Sequence, residues 1–277
     1  MPVEMSNMEA SAPPRIQPVP HHHPVAGHES GEPSRTLLGI NIRVLNGACA
    51  INELDERIQC GKPSRIAFLN ANLANTIAED DALKQTISSF LVLNDGIGVD
   101  LASLLLYGKK FPENLVGTDF VPRYLSKTKH RFRLALLGGT DQVIRQAADV
   151  ITRKWPRHEV AYRHHGYFDQ SQEAAIAHAI AQAGCNVVLV AMGNPRQEHW
   201  IGRNIPAACA MGFGVGALFD YLAGAVPRAP PFILRWRLEW VYRLVTEPRR
   251  LWRRYLIGNF VFAVRVTREW RKRANSH

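Results

Sequence analysis

Between residues 37 and 222, short apolar runs alternate with segments of helical periodicity, and few architectures accept that alternation. Runs at 65–69 (RIAFL), 90–93, 132–137 (FRLALL), 160–163, 186–192 (NVVLVAM) and 208–215 predict strands. Helical patterns fall near 73–88, 98–106, 142–154, 171–183 and 197–205. Apolar runs without strict alternation suit strands covered on both faces, and the intervening helices suit βαβ crossovers. The expected body, residues 36–227, is therefore α/β: a Rossmann-like three-layer arrangement with a parallel sheet.

Open sheets of this kind bind ligands beyond the carboxyl ends of their strands. Several runs end there in Gly-rich or polar turns, at Asn94, Asp95 and Gly96, at Gly138 and Gly139, at Gly193, Asn194 and Pro195, and at Gly214 to Gly216. Glycine lets backbone N–H groups approach a phosphate, and a helix N-terminus adds positive potential. None of the turns is a G-x-G-x-x-G fingerprint or a Walker loop. A nicotinamide-dependent oxidoreductase, which needs such a turn and an acid about 20 residues on, therefore lacks its signature.

The two ends of the chain differ from this middle. Residues 1–35 are rich in Pro, His, Ser and Glu without apolar periodicity, so a disordered tail is expected, with His21, His22 and His23 solvated. Residues 228–277 hold 13 Lys and Arg against Glu239, Glu247 and Glu269, while the rest of the chain balances at 21 bases and 21 acids. The whole net charge of +10 thus lies in the last fifty residues, with four of the six tryptophans. A helix with Arg on one face and Trp, Leu and Phe on the other suits a membrane interface, where each basic group near an anionic leaflet contributes about 1 kcal/mol. A helix packed on the body with a solvated Arg face is the other reading of the pattern. Nucleic-acid binding is not expected, because the aromatics interleave with aliphatics at helical spacing.

A basic amphipathic helical C-terminal appendage (228–277) that binds a membrane surface is expected, and a body cut near Pro227 is expected to fold without it. No 18-residue apolar window and no signal-like start are present, which points to a cytoplasmic protein, peripheral on a membrane through its basic end. Cys49, Cys60, Cys185 and Cys209 form no C-x-x-C pair and are expected reduced and buried.

Asp95 follows an apolar run and precedes a flexible Gly pair, a place from which a carboxylate takes a proton from a hydroxyl; an N-cap acid would also sit there. After Pro195, Gln197 and Glu198 open a helix near the same crevice. His165 and Tyr167 offer an imidazole and a phenol to a substrate, or serve as surface groups.

Taken in order, these residues resemble a known family. Asn94 to Val99, Gly117 to Asp119, Leu136 to Gly139, His165 to Phe168, Gly193 to Glu198, Phe219 to Gly224, Glu239 to Leu244 and Glu247 to Arg250 look like the motifs of the WecG/TagA/CpsF glycosyltransferases, over roughly residues 37–265. The resemblance implies inverting transfer of a sugar from a UDP-sugar to a polyprenyl-diphosphate-linked sugar at the cytosolic membrane face. It carries the catalytic base to Asp95 and the active-site glutamine to Gln197. It carries substrate contacts to Asn70, Asn94, Asp119, Gly138, Gly139, His165, Tyr167, Gly193, Phe219 and Asp220, and lipid-diphosphate contacts to Arg243, Arg250 and Arg253. The separations of 7 and 3 place those three arginines on one face of a helix.

Two positions depart from the N-acetylmannosamine-transferring members. Their Thr-x-Asn reads Phe68, Leu69, Asn70 here, and their Pro-Glu-Arg reads Pro112, Glu113, Asn114. The departures point to a hexose donor such as glucose, in exopolysaccharide synthesis, with N-acetylmannosaminyl or N-acetylmannosaminuronyl transfer as the alternative. No D-x-D motif is present, so neither metal nor cofactor is expected. A non-catalytic membrane-bound nucleotide-binding protein is the reading from another class, and association into a homo-oligomer is left open.

Overall fold

The computed structural model describes residues 34–275 apart from 206, 231, 232, 234, 235 and 237. The expected N-terminal tail with its three histidines lies outside the described residues, except for its last two positions, which belong to a strand. Strands β1 (Ser34–Leu37) and β2 (Ile40–Arg43) pair antiparallel across Leu38 and Gly39. Leu38 at φ 50° and Gly39 at φ 77° supply the left-handed turn that a two-residue hairpin requires. The Leu38 N–H donates to Glu269 at 2.8 Å, so the far end of the chain holds this turn.

After helix α1 (Gly47–Gln59), six strands form one parallel sheet: β3 (Ser64–Leu69), β4 (Leu91–Asn94), β5 (Arg133–Gly138), β6 (Glu159–His164), β7 (Val187–Ala191) and β8 (Met211–Gly214). Their order across the sheet is β4, β3, β8, β7, β5, β6. The chain builds outward from β3 to one edge, crosses to the other, and returns with β8 beside β3. Every strand expected from the apolar runs is present, with ends moved by at most three residues. Successive side chains of β3 serve different cores: Ala67 and Leu69 join one apolar cluster, Ile66 and Phe68 the other. Helices on both faces bury the sheet, which is why its strands read as apolar runs rather than alternations.

The connecting helices are α2 (Ala71–Glu79), α3 (Asp81–Ile87), α4 (Ile97–Tyr107), α5 (Gly117–Lys127), α6 (Asp141–Lys154), α7 (Glu173–Gln182), α8 (Arg196–Asn204) and α9 (Leu218–Leu222). The single helix expected at 73–88 is two. Asp80 takes an extended conformation, ends α2 and caps α3 by accepting from the Leu83 N–H at 2.9 Å.

The basic segment contains α10 (Glu239–Thr246), α11 (Pro248–Trp252), a wider π-type turn over Arg253–Ile257, and α12 (Gly258–Ala274). Helix α12 lies on α2 and α4, with Phe262 only 4% and Val266 only 3% exposed. Two of its arginines are spent on the body: Arg265 donates to the Asn75 carbonyl (2.9 Å) and Glu79 (2.6 Å), and Arg273 to the Thr36 carbonyl (2.8 Å). A cut near Pro227 would uncover the faces that Phe262 and Val266 seal. The packed-helix reading therefore holds for α12. No helix among the described residues is long and apolar enough to cross a membrane. Cys185 and Cys209 are buried thiols, but Cys49 is half-buried and Cys60 exposed, on α1 and just past its end rather than in the sheet.

Candidate active site

One cavity of about 1220 Å³ opens at the carboxyl ends of the strands and runs beneath α10, α11 and α12. Asp95 sits on its wall, one residue past β4, with its backbone N–H donating to the Leu69 carbonyl at 2.9 Å. Asn70, one residue past the neighbouring β3, donates its side-chain amide to Asp95 Oδ2 at 3.3 Å. The other end of that amide is fixed, since Asn70 Oδ1 caps α2 by accepting from the Leu73 N–H at 3.0 Å. Burial lifts the Asp95 carboxyl to about 6, Glu239 adds to the rise, and Asn70, Arg254 and Arg243 oppose it. A carboxylate with that affinity is matched to taking a proton near neutral pH.

The turn at Asp95 is itself held. Gly96 stands at φ 91° in the left-handed region that favours glycine, and its N–H donates to Asn114 Oδ1 at 2.7 Å. Asn114 thus supports the base loop from across the cavity wall. Phe68 packs at the same wall, where the missing side chain of Gly117 leaves room for its ring.

A second group of polar side chains starts α8. Gln197 Oε1 accepts from the Gly216 N–H at 3.1 Å, and its Nε2 donates to Glu198 Oε1 at 2.8 Å. Asn194 Nδ2 donates to the same Glu198 oxygen at 2.5 Å. The carboxyl of Glu198 is fully buried, which raises its proton affinity, and it fixes how both amides face the cavity. Gly214 is required beside them: a Cβ there would stand 2.8 Å from Gln197 Nε2.

Opposite Asp95 lie the cations. Arg243, Arg250 and Arg254 line the cavity, and the buried Nε atoms of Arg243 and Arg254 have no hydrogen-bond partner among the described residues. Arg250 pairs with Glu247 at 2.8 Å, and the Arg243 guanidinium lies 5.9 Å from the Tyr221 ring centre. Tyr221 in turn donates to Glu239 at 2.5 Å, tying α9 to α10. Arginine forks in such a place are suited to oxyanions that accept several bonds at once, phosphates above all.

Of the residues singled out from sequence, Asn70, Asp95, Asp119, Gly139, Tyr167, Gly193, Gln197, Asp220, Arg243 and Arg250 meet on this cavity. Asn94, Gly138, His165, Phe219 and Arg253 do not line it. Asn94 is fully buried and donates to the Glu113 carbonyl at 2.8 Å, bracing the loop that carries Asn114. Gly138 is a close-approach position, where a Cβ would meet the Ala191 carbonyl at 2.3 Å. Phe219 is core, and the half-buried His165 folds back on its own loop to accept from the Tyr167 N–H at 3.2 Å. Arg253 is exposed over the Trp252 ring, and Arg254 takes the inward place. Equal spacing on one helix does not survive here: the backbone bends at Glu247 between α10 and α11, and the π-type turn then changes the residue that faces inward. Arg254, Tyr221, Glu239 and Tyr255 belong to the wall and were given no role from sequence, although Tyr221 and Glu239 stand within the motif runs. The Arg253 and Arg254 pair was the available signal for the first.

Comparison with known proteins decides the kinship. The family model described as "Glycosyl transferase WecG/TagA/CpsF family" matches residues 35–276. The chain belongs to this family. Among curated relatives, an N-acetylglucosaminyldiphosphoundecaprenol N-acetyl-beta-D-mannosaminyltransferase of Bacillus spizizenii is 37% identical over 182 residues, covering 64% of this chain and 68% of the relative. One of the same description from Bacillus subtilis is 33% identical over 196 residues, covering 69% and 74%. A glycosyltransferase of this family thus carries its candidate base, its carboxamides and its cations in a single cavity at the strand tips. The match extends through α12.

Proposed function

We propose that this glycosyltransferase moves an N-acetylmannosamine unit from its UDP-sugar to N-acetylglucosamine carried on a polyprenyl diphosphate. The N-acetylmannosaminyl transfer for which both relatives are named supports this donor over the hexose that Phe68 and Asn114 suggested. Asn114 Oδ1 is engaged by the Gly96 N–H and Phe68 is almost wholly packed beside Gly117, while both still line the cavity.

The observation that carries the reading is Asp95, recessed and oriented by Asn70, facing Arg243 and Arg254 across one cavity. Asp95 takes the proton from the acceptor hydroxyl as that oxygen bonds to the anomeric carbon from the face opposite UDP. The bond to the UDP oxygen breaks with its electron pair, and the configuration inverts. Asn70 occupies Oδ2 and leaves Oδ1 for the hydroxyl. A general base in this role contributes about 10² to 10⁴-fold. The arginines hold diphosphate through charge-assisted bonds, and the backbone donors of the strand-tip turns stabilise charge as it develops. Gln197, fixed at both ends, positions the sugar. Trp252, Leu256 and Ile257, exposed beside Arg249 and Arg253, support seating of this face on a membrane.

The test is UDP release by the full chain with a soluble N-acetylglucosaminyl prenyl diphosphate. UDP-N-acetylmannosamine, UDP-N-acetylmannosaminuronic acid and UDP-glucose are compared, each in EDTA and with Mg²⁺. Turnover with UDP-N-acetylmannosamine, retained in EDTA, is expected. Turnover with UDP-glucose alone would restore the hexose reading, and activity only with Mg²⁺ would mean that the arginines are not sufficient.

A further inference from the structure

The cavity has a stretch that the transfer reaction does not use. It runs between α4 and α12, where Leu101 and Leu105 line it from one helix and Ala263 and Thr267 from the other, with Val266 buried behind them. On each helix these residues stand one turn apart, so they form two parallel apolar rails. Phe262 closes the floor, in contact distance of where a Gly98 side chain would be. Leu101 is 50% exposed and Leu105 42%, an unusual state for neighbouring leucines on a helix whose other face is buried in the body.

We propose that this groove binds the first isoprene units of the acceptor's hydrocarbon chain, so that the enzyme recognises the lipid itself and not only its diphosphate and sugar. The inference rests on the acceptor class given above. What commits the groove to this occupant is continuity. The apolar rails and the cationic cluster of Arg243, Arg250 and Arg254 line one continuous cavity, and a prenyl diphosphate is an anion joined directly to a branched hydrocarbon. A chain whose diphosphate sits on the arginines and whose sugar reaches Asp95 has this groove as its adjoining apolar exit. The cavity would therefore draw the head of the lipid out of the bilayer by exchanging one apolar surrounding for another.

The test is direct binding of farnesyl diphosphate and of inorganic diphosphate to the full chain, followed by calorimetry without vesicles or detergent. Farnesyl diphosphate is expected to bind at least about tenfold tighter, an effect that burial of only a few methylene groups supplies. Ala263→Trp, which fills the groove from an exposed helical position, and Leu101→Ala, which removes part of one rail, are both expected to shrink that preference. Val245→Ser, an exposed apolar position away from the groove, is expected to keep it. Equal binding of the two ligands by the wild type would overturn the proposal. So would a preference that both groove variants retain, or one that Val245→Ser removes. Sugar transfer measured in parallel reports on the acceptor reading separately: preference without turnover leaves the groove standing and the transferase reading refuted.

Discussion

The side-chain amide of Asn70 donates to the carboxylate of Asp95 at 3.3 Å while its oxygen caps α2, so one residue both starts a helix and aims the base. The bond favours the charged form of Asp95 against the burial that raises its carboxyl to about 6. A base must be unprotonated, so kcat/KM is expected to fall as pH drops through about 6. Asn70→Ser keeps an N-cap oxygen but no longer reaches Asp95. The acid limb should then move to higher pH by roughly half to one unit, with turnover well above the limb kept within about tenfold. A pH profile of both proteins checks the direction, and a limb that stays in place or moves to lower pH contradicts the coupling.

The same carboxyl has a consequence for stability. Its proton affinity is higher in the folded chain (about 6) than in the unfolded one (3.8), so the folded state binds the extra proton between those values. Stability attached to this group is full below about pH 4 and is lost as pH rises through 6. Asp95→Asn should therefore stabilise the protein at pH 7 by on the order of 2 kcal/mol and hardly at all at pH 4. Denaturant unfolding at the two pH values measures it, and equal or negative shifts at pH 7 would remove burial as the cause.

Arg254 rather than Arg253 lines the cavity, and the two make a paired experiment. A charged hydrogen bond to phosphate is worth about 1.5 to 3 kcal/mol, so Arg254→Ala should raise the acceptor KM roughly 10 to 100-fold. Arg253→Ala, on the exposed side, should stay within about threefold in solution. Steady-state kinetics with a soluble acceptor separates them, and the reverse ranking would put the other residue on the diphosphate.

Much of this was legible in the chain. Strands β3 to β8 announce themselves because a parallel sheet covered on both faces turns each strand into an apolar run, as in residues 187–191. The strand-tip rule then gathers Asp95, Gly139, Gly193 and Gln197, while Asn70 comes from the family resemblance alone. The hairpin was not legible, since four-residue strands offer too little pattern and Leu38 adopts a turn conformation that its type disfavours. Nor was Arg254, whose direction is set by a bend at Glu247 and a π-type turn that regular helical spacing does not contain. Asn94 and Phe219 carry the right neighbours in sequence, yet face inward, because alternate positions at a strand end and on a short helix point to opposite sides.

Composition sets the last fifty residues apart, but α12 within them packs on the body. Phe262 is sealed against α2 and α4, and Phe262→Ala should cost about 3 kcal/mol or more. A chain ended after Ile257 should unfold at markedly lower temperature than the full chain. Thermal denaturation followed by circular dichroism decides it, and an unchanged midpoint for either protein would make α12 a detachable element.

The most direct measurement is the rate of disaccharide formation from UDP-N-acetylmannosamine and an N-acetylglucosaminyl prenyl diphosphate, by the wild-type chain and by Asp95→Asn, with UDP affinity measured on both. The expected result is turnover by the wild type and a loss of about 10² to 10⁴-fold in Asp95→Asn, with UDP binding unchanged within about threefold. Near wild-type turnover by a folded Asp95→Asn protein would contradict the assignment of Asp95 as the base.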